Sequence, residues 1–386
     1  MWDKLKKIDV PVIGLLLIFM AVSTVVIYSA TFTAGPNYQD YYLRNLFYYG
    51  IGFVVLVAVM LFDYRVLLKI SPYLYGLGIL LLIAVYFLGE KTNGARSWFY
   101  IPGINMTFQP AELMKVMVII AVAAFLGRNK GENLAFFTGL VPVGLIVLVP
   151  FTLVVIQPDL GNAIIFLIIL VVMYWIGNIK YTHALIGLAA SVAGIALIFY
   201  LFQQFHDPIE QFMIDHDKKH WVERIDTYLD PNAENANNWQ VGNSIRAIGS
   251  GGLTGESFLN GDSLQKGFIP YAYSDSIFVV VGEEFGFIGS SLLLMLYFLL
   301  IYRMILIAMQ SSDKRGSYII VGIVSMLVFQ IFENVGMMMG LMPLTGITLP
   351  FISYGGTSLL TNMISIGIIL SVRAHQEMPN PYGAAE

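Results

Sequence analysis

The feature that most limits what this chain can become is its succession of long apolar runs. A hydrocarbon core of roughly 30 Å takes about 20 apolar residues in helical form. Ten runs reach or approach that length: about 11–31, 46–62, 72–89, 110–127, 137–156, 162–178, 183–203, 277–308, 317–340 and 354–373. Glu283, Glu284 and Gly286 interrupt the eighth, which predicts a broken or interfacial start and a membrane span from about Gly286 onward. The first run has nine successors and reads as an anchor rather than a cleaved signal peptide. The expected fold class is therefore an all-α polytopic membrane protein, with residues 1–386 forming a single integral membrane domain of ten transmembrane helices.

Composition agrees and excludes several chemistries. Charged residues make up 12% of the chain and hydrophobic residues 57%, whereas soluble domains carry about 25% charged residues. A net charge of −4 gives no reason to expect nucleic acid as a partner. The absence of cysteine excludes disulfides, zinc–thiolate sites and cysteine nucleophiles. The five histidines, His183, His206, His216, His220 and His375, show no metal-ligand spacing.

Lysine and arginine in short loops set the expected orientation. Lys4, Lys6 and Lys7 precede the first run, and alternate loops carry Arg65 and Lys69, Arg128 and Lys130, Lys180, and Lys314 with Arg315. The loop between the first two runs offers only Arg44, and that between the fifth and sixth offers none. Both termini are thus expected in the cytoplasm, with longer connections outside at about 90–109, 204–276 and 341–353. The 204–276 connection, between helices 7 and 8, is a large extracellular loop, far beyond the roughly 12–15 residues above which loops tend to be functional or disordered. Residues 379–386 read as a short disordered tail, and no internal repeat of the transporter kind is present.

Ionisable groups at membrane depth are costly and mark functional candidates. Here they gather toward the outer half. Glu112 and Lys115 follow Pro110 at helical i,i+3 spacing, either as a self-neutralising ion pair or with the lysine facing a diphosphate. Trp98, in Gly94-Ala95-Arg96-Ser97-Trp98, is either a substrate contact or an interfacial anchor. Asp159, in Gln157-Pro158-Asp159, either caps the next helix or faces substrate. The Gly249–Gly255 run can bring backbone N–H groups to phosphate or simply make a tight turn. Asp275 lies where the large loop re-enters the membrane; partial desolvation suits a carboxylate there to accept a proton, although a helix cap is the plain alternative. The Pro343–Ser358 stretch, with two prolines and three glycines, cannot be regular helix throughout and reads as a re-entrant cavity wall or a rigid packed turn.

These motifs, taken in order, resemble the shape, elongation, division and sporulation (SEDS) family, whose members include the rod-shape protein RodA and the division protein FtsW. The likeness covers nearly the whole chain: GARSW with QPAELMK, QPDLGNA, GSGGLTG, YSDSIFVVVGEEFG and TGITLPFISYGGTS. It implies ten transmembrane helices, peptidoglycan glycosyltransferase activity on lipid II at the cytoplasmic (inner) membrane of a bacterium, and a class B penicillin-binding protein as transpeptidase partner. The family's essential acidic residue falls at Asp275, with changed flanks at Tyr273, Ser274 and Ser276. Its arginine–tryptophan block falls at Arg96 and Trp98, with Ser97 between them. Its fourth-helix pair falls at Glu112 and Lys115, and its acid after Gln-Pro at Asp159. Glu333 departs from the pattern, which has an uncharged residue there. The Met339–Pro343 run leans toward the elongation branch.

Joining the acceptor's 4-hydroxyl to the donor's anomeric carbon needs a base and positive charge for the departing lipid diphosphate. Asp275 is the expected base, in an inverting reaction without a covalent intermediate. Arg96, Lys115, Arg224 and Arg246 are candidates to hold phosphate, and Trp98, Glu112, Asp159, Gln240, Ser244 and Ser353 complete the expected substrate-binding set. A divalent cation, Mg²⁺ or Mn²⁺, would bridge diphosphate oxygens, with Asp159, Asp275 and Glu283 as candidate ligands. Two competing classes are a lipid-linked precursor flippase, expected to carry its charges near the bilayer midplane, and a non-catalytic scaffold for a transpeptidase.

Overall fold

The computed structural model describes residues 9–32, 34–35, 38–92, 95–101, 106–129, 132–215, 222 and 236–376. Arg224 and the expected tail at 379–386 lie outside them. The described residues form thirteen helices: α1 (Val10–Phe32), α2 (Tyr41–Leu61), α3 (Tyr64–Leu88), α4 (Pro110–Leu126), α5 (Val141–Ile156), α6 (Leu160–Ile176), α7 (Tyr181–Gln204), α8 (His206–Asp215), α9 (Ala236–Ser250), α10 (Asp262–Gln265), α11 (Ile277–Gln310), α12 (Lys314–Met338) and α13 (Gly356–Ala374).

Eight of these are long and apolar enough to cross a membrane: α1, α2, α3, α5 with the π-helical turn Phe136–Leu140 ahead of it, α7, α11, α12 and α13. The apolar α6 is shorter, at 17 residues, and α4, also 17 residues, carries Glu112 and Lys115 in its first turns. Large apolar side chains such as Val54, Leu80, Val171 and Leu292 are more than half exposed on the flanks of their helices. In water such a belt would be a liability; against lipid it is the natural outer surface. The protein is a multi-pass membrane protein. Its core is mainly apolar too, but α12 and α13, largely enclosed, also hold Gln330, Glu333, Asn334, Asn362 and Ser365 in buried positions.

Two departures from the all-α expectation stand out. Residues 90–108 form an antiparallel three-stranded sheet, β1 (Glu90–Thr92), β2 (Ala95–Ile101) and β3 (Met106–Phe108), in the order β1-β2-β3. The aromatic and β-branched content of β2 favours strand over loop. The 204–276 connection, expected as one loop, contains α8, α9 and α10.

The expected interruption of the eighth span falls at Gly286, whose φ of 63° and ψ of −158° break α11. The glycine run explains how the break is sealed. A Cβ on Gly255 would lie 2.1 Å from the Glu284 carbonyl, and one on Gly251 would lie 2.1 Å from that of Gly282, so only glycine permits this crossing. The loop then supplies what the broken helix lacks. The Phe287 N–H donates to Gly252 O (2.9 Å), and the Glu256 N–H donates to Glu283 O (2.9 Å). The run is thus a backbone splice on α11 rather than a phosphate cradle.

Candidate active site

A cavity of about 500 Å³ opens where α2, α4, α6 and α13 begin and where the chain enters α11. Each helix brings its N-terminal turn to the wall: Tyr41 and Arg44 from α2, Gln109 and Glu112 from α4, Asp159 and Asn162 from α6, and Gly355 to Ser358 from α13. Ser97 and Trp98 of β2, Tyr271 to Asp275, and Thr345 to Thr348 close it. The floor is built from the two Gln-Pro motifs, which interlock across the bundle. Gln109 Nε2 donates to Asp159 Oδ2 (2.7 Å), and Lys115 Nζ donates to Glu112 Oε1 (2.8 Å) and to Asn162 Oδ1 (2.7 Å). Asp159 caps α6 through the Asn162 N–H (3.2 Å) while still facing the cavity. Burial holds its carboxyl above the usual range, opposed by the hydrogen bonds from Asn162.

Lys115 takes the ion-pair role. It is fully buried below the cavity and its charge is spent on Glu112. Glu112 reaches further, because its residue lines the cavity and its Oε2 has no hydrogen-bond partner.

Asp275 stands on the opposite wall, in the turn before α11. That turn is pinned from below. Asn334 Nδ2 donates to Asp275 O and to Ile347 O, both at 2.7 Å. The Tyr354 N–H donates to Tyr273 O (2.9 Å), and Ser353 Oγ donates to Ser274 O (2.6 Å). Burial pushes the Asp275 carboxyl up to about 6, against the backbone N–H groups of Asp275 and Ser276 that stabilise its anion. Its Oδ1 has no hydrogen-bond partner. Gly346, at φ 75°, packs beside this group: a Cβ there would lie 3.8 Å from Asp275 Oδ2.

The structure therefore brings Trp98, Glu112, Asp159 and Asp275 to one cavity and places the other expected residues that it describes elsewhere. Arg96 is exposed on β2 and does not line the cavity. Gln240 Nε2 reaches Ser276 Oγ (3.3 Å) and so braces the Asp275 turn from behind, while Ser244, buried on α9, donates to Gln240 O of its own helix (2.9 Å). Arg246 is occupied by Asn243 Oδ1 (2.7 Å) and Gly242 O (3.1 Å) on the surface of α9. Ser353 fastens two wall segments together without lining the cavity. Glu283 accepts the Ser263 and Leu264 N–H groups (2.6 and 3.3 Å) at the start of α10, which takes it out of the cavity. Among the described residues no three His, Cys, Asp or Glu side chains converge as a metal cluster.

The motif reading passes over several cavity residues, among them Tyr41, Tyr48, Thr107, Tyr271 and the charged Arg44, which it uses only for orientation. The signal available for Arg44 is that it is the lone positive charge in a loop otherwise stripped of them.

Comparison with known proteins places the chain in a family. The chain is 33% identical over 376 residues to stage V sporulation protein E of Bacillus subtilis, covering 94% of this chain and 96% of that protein. It is 34% identical over 380 residues to the peptidoglycan glycosyltransferase MrdB of Escherichia coli, covering 98% and 96%. Among solved structures it is similar to a chain of a peptidoglycan synthase complex (TM-score 0.78, 28% identity, 96% and 99% coverage). It is also similar to the rod shape determining protein RodA of Thermus thermophilus (TM-score 0.69, 27% identity, 96% and 98% coverage). Residues 10–378 match the cell cycle protein family of FtsW, RodA and SpoVE, and the chain belongs to that family.

Proposed function

We propose that this protein is a peptidoglycan glycosyltransferase that polymerises lipid II at the outer face of the bacterial cytoplasmic membrane during cell elongation, with Asp275 as general base. In this reading α4 and α6 join the eight longer helices as membrane spans, giving ten with both termini cytoplasmic. A class B penicillin-binding protein supplies the transpeptidase. Relatives bearing the glycosyltransferase name and similarity to a chain of a synthase complex support these assignments.

The observation that carries the reading is a raised, incompletely paired carboxylate at the wall of a cavity of saccharide dimensions. Asp275 accepts the proton of the acceptor's 4-hydroxyl as that oxygen attacks the donor's anomeric carbon. The carbon–oxygen bond to the lipid diphosphate breaks on the opposite face, and the leaving group departs with the electron pair. One displacement at one base inverts the α-linked donor to a β-linked product. The N-terminal turns gathered at the wall add partial positive charge where the diphosphate's negative charge grows.

The oxygen donors at the wall fit a hard cation. Asp275 Oδ1 and Glu112 Oε2 lack partners, whereas Asp159 is already engaged by Gln109 and Asn162. One or two carboxylates with substrate phosphates are what Mg²⁺ typically takes, and Glu112 would hold it, which leaves Asp275 free to act as the base. When bound, the cation neutralises developing charge on diphosphate oxygens.

The test uses purified full-length protein carrying Asp275→Asn. General-base removal should lower lipid II polymerisation by roughly 10²–10⁴-fold, with an unchanged unfolding midpoint. Polymerisation at the wild-type rate would remove Asp275 from the chemistry.

A further inference from the structure

The cavity wall carries three carboxylates, Glu112, Asp159 and Asp275, and among its described residues one cation, Arg44. Lys115 offsets part of this charge from below through its pairing with Glu112, but its ammonium is fully buried, is shared with Asn162 and does not line the cavity, so it offers nothing to a ligand there. A diphosphate entering the cavity would meet carboxylates at α4, at α6 and in the turn before α11, and among the lining residues a side-chain cation at α2. We propose that Arg44 seats the diphosphate of the lipid-linked donor. The inference rests on the functional reading above and adds to it a phosphate-holding residue.

Three observations support Arg44 in this role. Its side chain is exposed in the first turn of α2, where it lines the cavity. No carboxylate claims it among the described residues. Its guanidinium lies 5.9 Å from the centre of the Tyr41 ring. That ring is stacked on Tyr354 at 4.3 Å and meets Tyr273 edge-on at 5.1 Å. A ring face holds a guanidinium by its charge and leaves the N–H donors at its rim free. Those donors have the planar fork that pairs with two phosphate oxygens at once. Tyr273 and Tyr354 also border the Asp275 turn, so the aromatic group that fixes Arg44 fixes its position relative to the base as well.

The experiment is calorimetric titration of the full-length protein in detergent with farnesyl diphosphate, farnesol and inorganic pyrophosphate. Wild type should bind farnesyl diphosphate at least about tenfold more tightly than either of the others. Arg44→Gln should lose about tenfold in farnesyl diphosphate affinity with farnesol unaffected, and Arg44→Lys should fall between, because an ammonium cannot pair bidentately. Lys266→Gln removes the same charge from an exposed loop pair with Asp262 and should bind as wild type does. Equal unfolding midpoints establish that each variant is folded. Arg44→Gln binding within about twofold of wild type overturns the proposal, as does an equal loss in Lys266→Gln. Pyrophosphate binding as tightly as farnesyl diphosphate overturns the lipid-linked assignment. Asp275→Asn removes a like charge from the wall and should bind farnesyl diphosphate at least as tightly as wild type. If that variant polymerises normally while Arg44→Gln loses the diphosphate, the base assignment falls and the Arg44 assignment stands.

Discussion

Asp275 is subject to two opposing influences, and their balance sets a measurable property. Burial raises its carboxyl, while backbone N–H groups at its own position and at Ser276 stabilise the anion; the result is about 6 rather than the ordinary value, which lies near 4. A base works only when ionised. Activity should therefore be full well above pH 6 and should fall as the pH drops through about 6. Lipid II polymerisation measured as kcat/KM against pH checks this, and an acid limb near the ordinary carboxylate value would show that another group is titrating. The motif pattern was enough to bring Asp275 to the cavity wall, because its place at the mouth of the eighth span follows from the apolar runs. It was not enough for Lys115. An i,i+3 pair looks the same whether or not a third partner waits 47 residues later, and Asn162 is that partner. Glu333 lies in the same buried layer, within electrostatic range of Lys115 and Asp159 and beside the Thr345 hydroxyl.

At the scale of elements, apolar periodicity located the long helices well and the polar segments poorly. Helix boundaries fell short where aromatic residues extend a helix past its apolar stretch, as at Tyr41 in α2 and Tyr64 in α3. The Gly249–Gly255 run kept two meanings in sequence because close backbone approach serves a phosphate and a neighbouring helix equally. What decides between them is the break at Gly286, a long-range event that no local pattern contains. Gly255→Ala tests the splice. A side chain in the left-handed region costs about 1–2 kcal/mol by itself, and the Glu284 carbonyl blocks its Cβ besides. Thermal unfolding in detergent should show a clear loss. Gly187→Ala on α7, where a Cβ meets nothing within 4 Å, should leave the midpoint unchanged or slightly higher. Equal behaviour of the two variants would mean the crossing is loose.

Across the whole molecule, the two ends of α11 and α13 are secured differently. At the end away from the cavity, Asp9 is completely buried and accepts from Arg303 Nη2 (2.7 Å), from Arg373 and from the Val12 N–H (3.3 Å). Asp9→Asn should lower stability by about 1–3 kcal/mol, the usual cost of losing a charged hydrogen-bond partner. Polymerisation by the folded fraction should be unchanged, and an unaltered unfolding midpoint would show that this lock is dispensable. At the cavity end, Asn334 ties the Asp275 turn to the Ile347 segment, and Ser353 and Tyr354 add further ties. The α2 side meets that block through the ring contacts of Tyr41 with Tyr273 and Tyr354, and the buried Tyr49 hydroxyl donates to Phe351 O. Breaking such a buried bond leaves a polar group stranded, at a cost of about 1–3 kcal/mol. A vestibule riveted on both sides keeps one shape, so in the proposed reaction the growing chain has to thread through a rigid frame rather than prise it apart.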